Sequence, residues 1–217
     1  NQWSFVKYDE LNRPVLSGLL TDFSNRTTMQ STVDAASFTG ELRTASNFST
    51  QFGYTNRAFP VSTNLDIHAV NYYDDYDFNL NDLPDVTFSS PPTDFSTPDV
   101  SARTYSLPTA NKTKVLDGSN TYLTTANWYD ERGRLIQTQS DNYLGGKDIV
   151  YNEYNFIGEN TRTALVHTDG SNNTTTLSQR FSYDHGGRLK QIFHQINEQE
   201  EILYCENVYN QLGQLVD

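Results

Sequence analysis

The residues best placed to do chemistry lie in one stretch, NYYDDYDFNLNDLPD, where Asp74, Asp75 and Asp77 stand among Tyr73 and Tyr76, with Asp82 and Asp85 following. Carboxylates at this density can gather oxygen atoms around a hard cation such as calcium. Tyrosine rings beside acids can instead offer a stacking face and acceptors to a sugar. A third reading needs no ligand, with tyrosines packed inward and acids facing water where a strand runs into a loop. The stretch has no Asp-x-Asp-x-Asp-Gly loop, so no bound metal is expected, and Tyr73, Asp74, Asp75, Tyr76 and Asp77 stand as candidate carbohydrate contacts.

Elsewhere the signatures of catalysis are missing. His68, His167, His185 and His194 never fall into the His-x-x-x-His or His-Glu-x-x-His spacing of a zinc hydrolase, and His185 reads as an exposed turn residue. There is no Gly-x-Ser-x-Gly elbow and no phosphate loop. Carboxylate pairs for glycoside cleavage meet only in the fold, and 27 acids supply such pairs by chance. Neither catalytic residues nor a cofactor are expected. A net charge of −12 without a Lys/Arg cluster argues against nucleic acid as a partner. Cys205 is the single cysteine, so no intrachain disulfide can form, and its alternating strand position suggests a small buried side chain. No run approaches the ~18 apolar residues of a membrane span. The first residues lack the basic and apolar regions of a signal peptide, and both ends look cut from a longer chain. Asn25, Asn47, Asn111, Asn172 and Asn173 match the glycosylation tripeptide, a pattern that is cheap in Ser- and Thr-rich sequence.

The elements that must carry these residues read as strands. Fourteen Tyr and 12 Phe amid abundant Thr, Ser and Asn suit pleated, half-buried surfaces. One octapeptide, YDERGRLI from Tyr129, recurs as YDELNRPVL from Tyr8, YNFIGEN from Tyr154, YDHGGRLK from Tyr183 and YNQLGQLV from Tyr209. The first position is always Tyr. The second is Asp or Asn (Asp9, Asp130, Asn155, Asp184, Asn210), and the fifth is Gly or Asn (Asn12, Gly133, Gly158, Gly187, Gly213). An Asp or Asn can open a type I turn by bonding its own backbone two residues on, and Gly or Asn tolerates the left-handed conformation that closes it. Flanks such as TYLTTANWYD and RLIQTQSDN alternate apolar and polar residues, so each copy predicts a hairpin. Arg13, Arg134 and Arg188 then begin the returning strand, placed to lie along a tyrosine ring or to pair with an acid. Tyr129, Tyr154, Tyr183 and Tyr209 follow at steps of 25, 29 and 26 residues, enough for two strands and two turns whose apolar face the next repeat covers.

The long gap between Tyr8 and Tyr129 has a different composition. TTMQSTVDAASFTGEL predicts a short helix with Thr27 or Thr28 as N-cap, Met29, Val33 and Ala36 along one face, and Gly40 beyond its end. SSPPTDFSTPDV predicts a loop. The expected fold is mainly β, with antiparallel hairpins forming a curved sheet and a small irregular α+β insert. The expected organisation is a first hairpin region over 1–20, an insert lobe with one short helix over 21–121 and a hairpin sheet over 122–217.

The Tyr-Asp-x-x-Gly-Arg-Leu pattern resembles the YD repeats of Rhs (rearrangement hot spot) proteins, a family that includes bacterial polymorphic toxins, Tc toxin C components and animal teneurins. FVKYDELNRPVLSG, VNYYDDYDF, NWYDERGRLIQTQSDN and YDHGGRLKQIFHQIN look like the Rhs proteins of Bacteroidetes in particular. The copies at Tyr154 and Tyr209 are degenerate, with Asn for Asp and no Arg. The resemblance implies a structural repeat segment of a large secreted or cell-surface protein, part of a hollow β shell that encloses or presents a toxic C-terminal domain. Neither an aspartate-rich autoprocessing motif nor such a domain is present in this stretch. The partners implied are neighbouring repeats of the same parent chain. The alternative is a module binding carbohydrate through exposed Tyr and Asp faces.

Overall fold

The computed structural model describes residues 1–47, 51–96 and 98–216. Among the described residues eleven strands follow in chain order: β1 (Gln2–Tyr8), β2 (Pro14–Thr21), β3 (Leu65–Asp74), β4 (Thr104–Lys114), β5 (Tyr122–Tyr129), β6 (Leu135–Asp141), β7 (Lys147–Tyr154), β8 (Asn160–Thr168), β9 (Thr174–Tyr183), β10 (Leu189–Ile196) and β11 (Ile202–Glu206). Each bonds to the next, giving one antiparallel sheet with β1 and β11 at its edges. The mainly β, antiparallel class expected from the repeats is therefore what forms. Two of the strands, β3 and β4, come from the stretch 21–121 that had been expected as an irregular insert, so the ladder runs through it.

The chain divides into two compact units, one of residues 1–87 and 103–126, the other of residues 88–102 and 127–217. In the first, Val15, Leu16, Ile67, Val70, Tyr54, Tyr72 and Phe78 are buried. Tyr72 stacks between Tyr54 and Phe78, with centroids 6.0 and 4.3 Å away. On β2, Gly18 has no substitute, because a Cβ there would lie 2.0 Å from the Asp66 carbonyl oxygen on β3. One α-helix, α1 (Arg26–Asp34), sits in the β2–β3 connection.

That helix corrects the sequence reading in its ends and its packing. Asn25, not Thr27 or Thr28, is the N-cap; its side chain accepts from the Thr28 amide at 2.9 Å. Asn caps at least as well as Thr and comes earlier in the chain, so the helix starts sooner and is finished by Ala35. Gly40 lies five residues beyond, where a Cβ would approach the Asp9 backbone to 3.0 Å. No helical side chain is buried and Val33 is exposed, so the Met29–Val33–Ala36 face does not pack.

In the second unit, Trp128, Tyr129, Ile136, Tyr151 and Ala164 are buried. The described residues of the irregular segment 88–102 form no strand, as the Pro, Ser and Thr content of SSPPTDFSTPDV predicted, but they cover one face. Phe95 packs with Tyr151, Ala164, Ile149 and Val166, and Phe88 meets Trp128 edge-on at 6.1 Å. Fully buried Gln137 accepts from the Ser89 amide at 3.0 Å and donates to its carbonyl at 2.7 Å, so the backbone of Ser89 is satisfied by a side chain. Cys205 on β11 is half-buried, a correction explained by edge position: a terminal strand has only one neighbour to cover it.

Candidate functional site

The recurring octapeptide builds the same turn each time. In YDERGRLI, Asp130 Oδ1 accepts from the amides of Arg132 and Arg134 at 2.9 Å each, and Oδ2 accepts from Arg134 Nε at 2.6 Å. The Gly133 amide donates to the Asp130 carbonyl, the Asp130 amide to that of Arg134, and Gly133 has φ +73°. This is a type I turn closed by a left-handed residue, as Asp and Gly at that spacing predict. Asp9 with Asn12 and Arg13, and Asp184 with Gly187 and Arg188, repeat it. Hydrogen bonds from Arg188 and from backbone amides hold the Asp184 carboxyl at a pKa of about 2. At Asp130 burial pushes the pKa up, but the bonds from Arg134 and Arg132 together outweigh it and the net direction is down.

The two degenerate copies keep the geometry by exchanging donor and acceptor. Asn155 Oδ1 accepts from the amides of Ile157, Gly158 and Glu159, while its Nδ2 donates to Glu159 Oε2 at 2.6 Å. Asn210 does the same with Gln214, Nδ2 to Oε1 at 2.9 Å. In the five copies read from the sequence, position six is the donor Arg where position two is Asp, and Glu or Gln where it is Asn. Two further turns of this kind went unread in the sequence, at Asn142 with Gly145 and at Asp169 with Asn172. Their signal was available: an Asn or Asp with Gly or Asn three residues on, but no preceding Tyr.

The turns at Asp130, Asn155 and Asp184 are also fastened to the next repeat. The Arg134 guanidinium lies 4.9 Å from the Tyr154 ring centroid, the Tyr154 hydroxyl donates to the Leu135 carbonyl at 3.1 Å, and Arg134 Nη1 donates to the Asn155 carbonyl at 2.9 Å. Arg188 lies over Tyr209 at 4.6 Å, whose hydroxyl reaches the Leu189 carbonyl at 2.8 Å. Tyr183 makes the hydroxyl contact, to the Asn160 carbonyl at 2.8 Å, without a covering Arg because position six there is Glu159. Tyr154, Tyr183 and Tyr209 are thus each received by a carbonyl of the preceding repeat, with a covering cation at Tyr154 and Tyr209.

The same kind of fastening engages part of the acidic stretch. Arg13 lies over Tyr73 at 4.4 Å, and the Tyr73 hydroxyl donates to the Pro14 carbonyl at 3.1 Å. Asp74 accepts from both Arg13 Nη atoms at 2.9 and 2.8 Å and from the Ser106 amide at 2.6 Å; the Arg13 bonds lead in lowering its pKa. Tyr73-Asp74 is therefore a copy hidden in the gap, whose tight turn has been replaced by the long 75–103 excursion. Asp77 accepts from the amides of Asn81 and Asp82, and Asp85 from those of Phe78 and Asn79, so these acids brace loop backbone. Asp75 is exposed, and desolvation by the chain around it leads in raising its pKa. Tyr76 is partly buried and Tyr72 fully so. The structure brings Tyr73 and Asp74 together on Arg13; it gathers Asp74, Asp75 and Asp77 around no common point. Among the described residues no group of three His, Cys, Asp or Glu side chains could hold a metal ion.

Two small concavities flank these contacts. One of about 190 Å³ is lined by Asp9, Arg13, Arg43, Tyr54, Tyr73 and Asp74. The other, about 260 Å³, is lined by Asp130, Arg132, Arg134, Glu153 and Tyr154 among others. Several of their charged groups are already engaged: Arg132 with the Phe156 carbonyl and ring, Glu153 with Ser96, Arg43 with the Asp77 carbonyl. His68 and His167 bond Asp66 and Asp148, and His185 is exposed as expected. Among the described residues no helix is long and apolar enough to cross a membrane. In comparisons with known proteins, no family model and no curated protein matches the chain.

Proposed function

We propose that the chain is a wall segment of a larger YD-repeat, Rhs-type protein, secreted or on the cell surface, whose shell encloses or presents an effector domain. The observation that carries this reading is the fastening of one repeat to the next: the Tyr and Arg of the motif are spent on contacts between hairpins. A ligand-binding tyrosine would keep its ring face free, whereas the faces of Tyr73, Tyr154 and Tyr209 are covered by Arg13, Arg134 and Arg188. The strands β9, β10 and β11 hold no buried residue, and Ile202, Leu203 and Tyr204 are exposed, which suits a wall whose faces are covered by further repeats.

The test is the size of the native protein. An antibody raised against these 217 residues is used on extracts and culture medium of the source cells. A band several times larger than 24.7 kDa, in the medium or the surface fraction, is expected. A native band at 24.7 kDa would overturn the wall reading.

A further inference from the structure

In the first unit, Lys7, Glu41 and Asn56 form a cluster that the repeats do not require. Lys7 and Glu41 are fully buried, with side chains at 0 % exposure. The Lys7 Nζ donates to Glu41 Oε1 at 2.9 Å and to the side-chain amide oxygen of Asn56 at 2.7 Å. The Asn56 Nδ2 donates to the Ser62 carbonyl at 3.0 Å, which fixes the amide with its oxygen toward the lysine.

Glu41 is held in place by the chain on both sides of Asn56. Its Oε2 accepts from Thr55 Oγ1 at 2.5 Å and from the Arg57 amide at 3.1 Å, and its Oε1 also accepts from the Ala58 amide at 3.1 Å. Three of its donors thus come from residues that flank Asn56. A buried ion pair alone is a poor stabiliser, because removing two charges from water offsets most of their attraction. Here the ammonium also touches a carboxamide, whose carbon is an electrophile. Burial pushes the Lys7 ammonium below its usual pKa, against the hydrogen bond and charge of Glu41, which brings the neutral, nucleophilic amine within reach.

We propose that Lys7 and Asn56 become joined by an intramolecular isopeptide bond, with Glu41 as the proton relay. Glu41 takes a proton from Nζ, and the amine so formed attacks Asn56 Cγ. The Nζ–Cγ bond forms and the Cγ–Nδ2 bond breaks; the second Nζ proton passes to Nδ2, which leaves as ammonia. Glu41 ends as the neutral acid. No oxidant or cofactor enters, and the interior loses both of its charges. Holding amine, amide and relay in contact converts a slow bimolecular aminolysis into an intramolecular one. The bond would tie β1 to the loop around Asn56, across 49 residues of chain.

The experiment is intact-mass spectrometry of the full 217-residue chain, followed by proteolysis and tandem fragmentation. The expected mass is below the sequence mass by about 17 Da, one ammonia. A peptide containing Lys7 should be found joined to one containing Asn56. Lys7→Arg and Glu41→Gln should each keep the full sequence mass, while Asn56→Asp should instead lose about 18 Da, as water. A parent chain at full sequence mass overturns the proposal. So does a loss that persists in Lys7→Arg, or a linkage that maps elsewhere. Because the linkage is mapped in the parent chain, a variant that fails to fold leaves the test intact.

Discussion

The exchange of donor and acceptor between positions two and six can be tested by rewriting one copy in the other's chemistry. In the Tyr154 copy, Asn155→Asp removes the 2.6 Å bond from Nδ2 to Glu159 Oε2 and sets two carboxylates against each other. A hydrogen bond to a charged group contributes about 1.5–3 kcal/mol. Two like charges about 4 Å apart repel by about 4 kcal/mol at an effective dielectric near 20. Both residues are only partly buried, so Glu159 can swing toward water and most of the repulsion is screened. A net loss of about 2 kcal/mol remains, smaller than the sum of the two contributions because that escape is open. Glu159→Arg added to Asn155→Asp should return stability to within about 0.5 kcal/mol of the parent, a coupling well above that of independent sites. Room for the new Arg exists: Glu159 Oε1 lies 3.0 Å from the Cβ position of Gly187, much as Arg188 Nη1 lies 3.1 Å from that of Gly213. The Tyr183 hydroxyl is already bonded to the Asn160 carbonyl, so the new guanidinium would find a ring to cover. The assay is urea unfolding of the parent, both single variants and the double variant. For the Asn155→Asp variant the facing carboxylates raise a folded-state pKa above its unfolded value. Its deficit is therefore full at neutral pH and shrinks as pH falls through the raised value. A single variant as stable as the parent, or a double variant no better than Asn155→Asp, would refute the exchange.

Three further outcomes are expected. Gly133→Val should lose about 1–2 kcal/mol in the same assay through its left-handed φ alone, since nothing lies within 4 Å of a Cβ there. Gly133→Asn should lose clearly less, because Asn12 and Asn172 already hold this conformation at φ 59° and 64°; equal losses would contradict the turn assignment. Asp74→Ala should cost about 1–2 kcal/mol by removing the two bonds it accepts from Arg13, and a change indistinguishable from that of Asp99→Ala, at an exposed loop acid, would remove Tyr73-Asp74 from the set of copies. The Asp184 carboxyl, depressed to about 2, contributes stability that is present above the unfolded-state value and lost as pH falls through about 2. Carboxyl carbon shifts followed by NMR should show it titrating after the ordinary carboxylates, and should show the delay vanish in Arg188→Gln.

What could be read from the sequence was what is local. Asp130 and Gly133 lie three residues apart and make contacts with their own backbone, so the turn is written where it forms. The hairpins that follow from it are the ones in the structure. The Tyr73-Asp74 copy was read as a candidate ligand site because its identity depends on Arg13, 61 residues away, and because the usual Gly is replaced by a 29-residue excursion from 75 to 103. The helix was legible but its cap was not: Asn25, Thr27 and Thr28 all carry side chains able to cap, and only backbone geometry chooses among them. The Lys7–Glu41–Asn56 cluster gave no signal, since its members are 34 and 49 residues apart and each is unremarkable alone.

The two copies first read as degenerate bear most directly on how the repeats tolerate change. A turn of this kind needs an oxygen at position two to accept the amides ahead of it, and both Asp and Asn supply one. What remains at position two is an acceptor in Asp and a donor in Asn, and position six must answer it. A substitution at one position alone leaves a partly buried group facing its own kind. A paired substitution leaves the turn as it was, but Glu and Gln in place of Arg give up the cover over the next tyrosine. Copies at Asp9, Asp130 and Asp184 thus hold the turn and fasten the neighbour with one guanidinium. Copies at Asn155 and Asn210 hold the turn only, leaving the following junction to the tyrosine hydroxyl and the strand ladder. On this reasoning the junction after Asn155 is the weakest of the fastened ones in the second unit. Amide hydrogen exchange should accordingly be faster at the amides flanking Tyr183 than at those flanking Tyr154 or Tyr209, and uniform protection across the three would show that the covering arginine adds nothing.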